Sequence, residues 1–146
     1  MNNKMIRYVI SYILKLEAAF MLAPLTLSFF YQEGFKLNRA YLITIIFLVI
    51  SSFLLSKKIP ENQKIYTQEG MIIVAVSWIA LSFFGSLPFV FSGRIPSFVN
   101  AFFETVAGFT TTGASIIANI ESIEKSLLFW IGFSHFIGGM GILVLA

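Results

Sequence analysis

Residues 97–115 read Ser97 Phe98 Val99 Asn100 Ala101 Phe102 Phe103 Glu104 Thr105 Val106 Ala107 Gly108 Phe109 Thr110 Thr111 Thr112 Gly113 Ala114 Ser115. The stretch is apolar enough for a membrane interior yet cannot cross one. A helix over Phe98 to Gly108, with Ser97 as its N-cap, makes about three turns, whereas crossing a hydrocarbon core takes about 20 residues. Six small residues, Thr110 to Ser115, then end the helix. Non-helical backbone at membrane depth is tolerated only where it faces protein or a water-filled cavity. The expected unit is therefore a re-entrant loop: a half-helix in, an extended segment back, and a return to the surface by Glu121.

The flanking sequence supplies full-length spans. Uncharged runs cover Ala18 to Gln32, Ala40 to Ser56, Gly70 to Gly93 and Ser126 to Ala146. The last two are long enough to span directly, and Ala40 to Ser56 becomes so with its neighbours Leu37 and Ile59. The first run extends backwards to about Met5 and encloses Lys15 and Glu17, so Lys15 is expected to snorkel to an interface and Glu17 to face protein. The N-terminus lacks the short apolar core and cleavage site of a secretory signal and reads as a retained anchor. Lys4 and Arg7 precede the first span, and Lys57, Lys58 and Lys64 follow the second. The positive-inside bias thus puts both ends of this hairpin in the cytoplasm, with the turn at 33–39 outside. Pro24 and Pro88 are expected to kink or locally break their spans, and Pro96 to end the turn before the half-helix. Tyr31, Tyr41, Tyr66 and Trp130 are candidate interface anchors, whereas Trp78 sits deep enough to pack between helices.

Composition narrows the function. Of 146 residues, 58% are hydrophobic and 12% charged, with 17 Phe, which leaves too few polar residues to cover a water-soluble domain. The ten Lys and Arg are dispersed rather than gathered with aromatics into a phosphate-tracking stripe, so no nucleic-acid partner is expected. No Cys, no Asp and a single His make a protein-built metal site improbable. An intramembrane enzyme would have to rely on Glu104 and His135, which belong to different elements, so the chain is not read as an enzyme.

The small-residue stretch suits a bare cation. A selectivity filter replaces an ion's hydration shell with backbone carbonyls, which requires small side chains and a glycine free to turn successive carbonyls toward one axis. Gly113 is that glycine, and Thr110, Thr111 and Thr112 the carbonyl donors. The half-helix also aims its partially negative C-terminus at the ion. The same residues could instead form a surface turn whose hydroxyls satisfy the backbone. Glu104 is read as a support for the filter in preference to an ion ligand, with Gly108, Ala114 and Ser115 as neighbours in that role. His135 is read as a polar residue facing other helices or the cavity. Gly132, Gly138, Gly139 and Gly141 allow close helix approach, or a bend in the inner helix beside the ion path; Gly138 and Gly141, three apart, share one face.

The run from Ala101 to Ser115 resembles the first pore loop of the potassium transporter family that includes TrkH, TrkG and KtrB. The resemblance continues through Glu69 Gly70 and Trp78 to Phe89 before the loop, and through Lys125 to Trp130 and Gly138 to Ile142 after it. It departs at Asn100, where the family often has Asp, and at Ala107, where it often has Ser. The resemblance implies an all-α membrane protein: a leading two-helix hairpin over 1–60, then a first pore repeat over 61–146. That repeat has an outer helix at about 70–93, a pore helix at 98–108, a filter at 109–115 and an inner helix from about 125. It also implies potassium as the transported ion and no covalently bound cofactor. The implied setting is a prokaryotic plasma (inner) membrane, with the N-terminus cytoplasmic. Further pore repeats, a homodimer and a cytoplasmic nucleotide-binding regulatory ring are the partners implied, besides the bilayer. One filter motif and an apolar C-terminus make the chain read as the N-terminal part of a longer transporter; a non-conducting assembly protein and a homotetramer of single repeats are the alternatives.

Overall fold

A computed structural model of the chain describes residues 2–56 and 58–145, with side chains followed to residue 141. Lys57, Ala146 and the side chain of Ile142 lie outside the described residues. Among the described residues five α-helices form: α1 Asn3–Phe30, α2 Phe35–Leu55, α3 Thr67–Ser92, α4 Phe98–Phe109 and α5 Lys125–Leu145, with a single 3-10 turn at Ile120–Ser122. No strand forms among the described residues. Three of the helices, α1, α2 and α3, are long and apolar enough to cross a membrane, and α5 has 21 residues. The observed order is the expected all-α membrane architecture of two leading helices, a long helix, a half-helix, a non-helical segment and a final helix.

Local chemistry sets the helix ends. Asn2 caps α1 by accepting from the Met5 amide at 3.1 Å. Gly34, with φ of 108°, turns the chain into α2, and Gly93, with φ of 77°, terminates α3 in the left-handed conformation. At the start of α3 the Glu69 carboxylate accepts from the Tyr66 amide at 3.0 Å and from the Asn2 amide, tying the N-terminus to the α2–α3 loop. Pro24 and Pro88 neither end nor interrupt their helices, contrary to a local break. Both are buried against neighbouring helices, which is where a freed backbone group is tolerated.

The packing corrects two assignments. Tyr41 and Trp130 are not interface anchors, because both are fully buried. Tyr41 donates to Ser126 Oγ at 3.3 Å, linking α2 to α5, and Trp130 donates from Nε1 to the Gly85 carbonyl at 3.0 Å, linking α5 to α3. The same N-terminal end of α5 is also fastened by charge. Arg94 pairs with Glu124, the Ser126 amide donates to Glu33 at 3.2 Å, and the Lys125 ammonium lies 4.4 Å from the centroid of the Tyr31 ring. The Arg94–Glu124 pair brings together the two ends of the α3–α5 connection, so this segment leaves and returns at one end of the bundle.

Lys15 is exposed and lies over the Phe53 ring, while Glu17 is buried at 1% exposure, the division expected for the two charges of α1. Neither Glu17 carboxyl oxygen has a hydrogen-bond partner among the described residues. An orphaned buried polar group costs about 1–3 kcal/mol, more if charged. Glu17→Met, similar in volume, is therefore expected to raise the unfolding free energy in detergent by an amount on the order of that cost. A fall of similar size would show instead that the carboxyl is held by a partner.

Candidate cation filter

The geometry is built on α4. Its 12 residues carry an apolar face against α3 and α5, with Ala101, Thr105, Ala107, Gly108 and Phe109 buried. Thr105 Oγ1 donates across to the Ser82 carbonyl of α3 at 2.8 Å, fixing the half-helix along that helix. Phe109 is the last helical residue rather than the first of the extended segment, and its ring is fully buried. The ring meets Trp130 edge-on at 6.2 Å and lies against Gly85, where an added Cβ would be 3.0 Å from Cε2.

Two glycines let α5 and α4 approach closely. A Cβ on Gly138 would lie 2.0 Å from the Phe109 carbonyl oxygen, and one on Gly108 would lie 2.2 Å from Ser134 Oγ. Gly138 stands 13 residues into α5, about 20 Å along the helix at 1.5 Å per residue. The connection thus runs well below the Arg94–Glu124 level before it turns. A Cβ on Gly139 would make only ordinary contact with Thr111, and one on Gly141 would lie 3.4 Å from the Trp78 ring of α3. Gly138 and Gly141 therefore serve two different neighbours, despite sharing a helix face.

At the end of α4 the chain tightens and then opens. The amides of Thr110, Thr111 and Gly113 donate to the carbonyls of Val106, Gly108 and Ala107 at 2.9, 2.9 and 3.2 Å. Thr111 and Gly113 both have positive φ, 58° and 76°. Left-handed residues at every second position allow successive carbonyls to face one side, and Thr111 adopts this conformation despite the steric cost to a β-branched residue. Thr110 Oγ1 bonds the Val106 carbonyl at 2.6 Å and Thr112 Oγ1 at 2.8 Å, so these hydroxyls are occupied within the loop. Among the described residues, the carbonyls of Thr110, Thr111, Thr112 and Gly113 accept no hydrogen bond, and all four residues are exposed.

Glu104 holds the outgoing limb. Its carboxylate accepts from Ser115 Oγ at 2.8 and 3.1 Å and from the Ile116 amide at 3.0 Å, while Ser115 Oγ also receives the Ile117 amide at 3.1 Å. Glu104 is 3% exposed, and these contacts account for its burial. Ala114 is exposed and makes none of them. His135 Nδ1 bonds the Ile131 carbonyl of its own helix at 2.8 Å, so this nitrogen carries the proton. Glu104 and His135 share no partner. Sequence reasoning missed Gly85, Ser82, Ser134 and Trp130 as the supports of this unit; buried Ser residues in apolar helices were the signal available.

The family model for TrkH, described as a cation transport protein, matches residues 35–146. The chain belongs to the TrkH family. Among curated relatives, an uncharacterised cation transporter of Methanocaldococcus jannaschii is 37% identical over 142 residues, 97% of this chain and 29% of the relative. The Trk system potassium uptake protein TrkH of Escherichia coli is 33% identical across the whole chain and 30% of its own length, and TrkG of the same organism is 30% identical. The crystal structure of the potassium transporter TrkH from Vibrio parahaemolyticus superimposes with a TM-score of 0.88 at 29% identity, covering 99% of this chain and 31% of that one. The chain thus spans about 30% of the length of these relatives. Together with the candidate spans, this family membership makes it an integral membrane protein.

Proposed function

We propose that the chain forms one wall of a potassium filter and takes part in potassium uptake as a pore subunit, without covalent chemistry. The observation that carries the reading is the run of four exposed residues, Thr110 to Gly113, whose carbonyls accept no hydrogen bond among the described residues. Unpaired carbonyls at membrane depth are costly unless an ion or water meets them, and small side chains leave them open to one. The C-terminus of α4 lies immediately behind, adding a negative partial charge that favours a cation.

One such wall supplies a quarter of a fourfold coordination shell. In this reading residues 1–60 are a leading hairpin and 61–146 the first pore repeat, with further repeats completing the path. Potassium is the cargo, in keeping with the names of the TrkH and TrkG relatives. Cytoplasmic termini of the leading hairpin, residence in a prokaryotic plasma membrane, a homodimer and a cytoplasmic nucleotide-binding ring complete the proposal. Gly141, which fills no close backbone contact, is the position where α5 could yield beside the ion path.

Potassium flux through proteoliposomes containing the full-length protein tests the filter. Gly113→Ser places a side chain at a left-handed φ, and Thr111→Ala removes the methyl and hydroxyl beside Gly139. Gly113→Ser is expected to lower flux or potassium-over-sodium preference by tenfold or more, with a smaller effect for Thr111→Ala. Wild-type flux and preference in both variants would overturn the filter assignment.

A further inference from the structure

At the end of the bundle opposite the Arg94–Glu124 pair, a cavity of about 610 Å³ is lined by Asn2, Lys4, Arg7, Lys58 and Glu61, with Leu55, Ile59 and Pro60 among its apolar walls. Its cations come from two elements. Lys4 and Arg7 are three apart on α1 and share a face, while Lys58 enters from the loop after α2. Against these three charges the lining offers the single carboxylate of Glu61. Among the described residues none of the three cations forms an ion pair, although each is within a few residues of the same space.

The walls are fixed in place. Asn2 Nδ2 donates to the Asn62 carbonyl at 2.8 Å, the Lys64 amide donates to Asn62 Oδ1 at 3.1 Å, and Ser56 Oγ donates to the Lys58 carbonyl at 3.1 Å. Through these bonds the loop is held against the start of α1, where the Glu69 carboxylate already accepts from the Asn2 amide. The surroundings are amphipathic. Ile59 of the lining and Leu54 beside it are 63% and 80% exposed on a chain that lives in a bilayer, so apolar surface continues from the cavity toward lipid. Concentrated, unpaired positive charge next to lipid-facing apolar surface is complementary to an anionic headgroup with its acyl chains. The positive-inside bias alone requires only that such charges lie on one side of the membrane; it does not require that they converge on one built cavity.

We propose that this cavity binds a phosphate group, the phosphodiester of an anionic phospholipid being the source that its apolar margin favours. Lys4, Arg7 and Lys58 supply the charge, and the Asn2-anchored loop supplies the wall. The site is independent of the filter reading.

Native mass spectrometry of the full-length protein, titrated with phosphatidylglycerol and with phosphatidylcholine of the same acyl chains, provides the test. Arg7→Gln/Lys58→Gln removes two cations from the cavity; Lys36→Gln/Arg39→Gln removes two from the other end and serves as the equal-charge control. All four residues are exposed in the fold, so both variants should assemble as wild type. Each Lys or Arg near an anionic surface is worth a factor of about five in affinity, so the cavity variant is expected to weaken phosphatidylglycerol binding by tenfold or more and the control to leave it unchanged. Displacement of the lipid by millimolar inorganic phosphate would also support the site and assign it to phosphate in general; persistence of the lipid in excess phosphate would assign it to the lipid. Equal loss in the two variants, no loss in either, or equal affinity for phosphatidylcholine would overturn the proposal.

Discussion

Gly138→Ala is expected to abolish selective ion flux while Gly132→Ala and Gly139→Ala leave it intact. All three substitutions favour a helix by about 1 kcal/mol on propensity alone, so chemistry at the three sites is matched and only the surroundings differ. At Gly132 an added methyl meets nothing within 4 Å, and at Gly139 it reaches the Thr111 methyl at an ordinary 3.9 Å. At Gly138 it would stand 2.0 Å from the Phe109 carbonyl oxygen, 2.7 Å from its carbon and 3.0 Å from its Cα. All three atoms are backbone, so no rotamer change removes the clash. Relief needs α5 and the end of α4 to part by about 1 Å or more, given normal carbon contacts near 3.5 Å. Overpacking of this kind costs about 1–3 kcal/mol, sometimes more, and here the displaced element is the base of the proposed filter. Gly108→Ala is the intermediate case: its clash at 2.2 Å is with Ser134 Oγ, a side chain that can rotate after giving up its bond to the Ile131 carbonyl. The expected order of loss, in both flux and unfolding midpoint, is Gly138 far above Gly108, with Gly132 and Gly139 unaffected. Equal tolerance at Gly138 and Gly139 would mean that the α4–α5 contact is not the support of the filter.

That ordering could not be read from the chain. Gly138, Gly139 and Gly141 look alike as small residues in an apolar helix, and only the tertiary fold gives one of them a carbonyl for a neighbour. The half-helix was legible, because length against bilayer thickness is a one-dimensional criterion and twelve residues plainly fail it. The left-handed Gly113 was legible for a similar reason, since its need for positive φ is local. What failed was the judgement of faces. In a soluble helix an apolar stripe marks the buried side, but lipid and protein are both apolar neighbours here, so the sequences of α2, α3 and α5 carry little directional information. Tyr41 and Trp130 consequently read as interface residues, although each spends its polar atom on a partner far along the chain, Ser126 and Gly85. Buried Ser77, Ser82, Ser86 and Ser134 carry the clearer directional signal, since a hydroxyl among hydrocarbons turns toward protein.

Removing the Glu104 carboxylate is expected to have the second large effect, by releasing the outgoing limb of the proposed filter rather than by emptying an ion site. The carboxylate accepts one hydroxyl and one amide from Ser115 and Ile116, residues 11 and 12 positions downstream, and so closes the loop that contains Thr110 to Gly113. Hydrogen bonds to a charged group are worth about 1.5–3 kcal/mol each, and truncation to Ala would also orphan the Ile116 amide. Glu104→Ala is therefore expected to lose several kcal/mol locally and to broaden ion preference as the carbonyls lose their fixed spacing. Glu104→Gln separates the roles. The amide oxygen can still accept from Ile116 or Ser115 but without charge, so a bracing role predicts a partial loss that is repaired little by external potassium. A coordinating role predicts a fall in apparent potassium affinity proportional to the lost charge, with the fold untouched. Ser115→Ala supplies the second edge of a double-mutant cycle: it deletes the hydroxyl bonds yet leaves the Ile116 amide on the carboxylate. If Glu104 acts through the limb, Ser115→Ala and Glu104→Gln should be coupled by about 1 kcal/mol or more in unfolding free energy and should alter potassium-over-sodium preference in the same direction. Additive effects, with preference changed by Glu104→Gln alone, would place the carboxylate on the ion path instead.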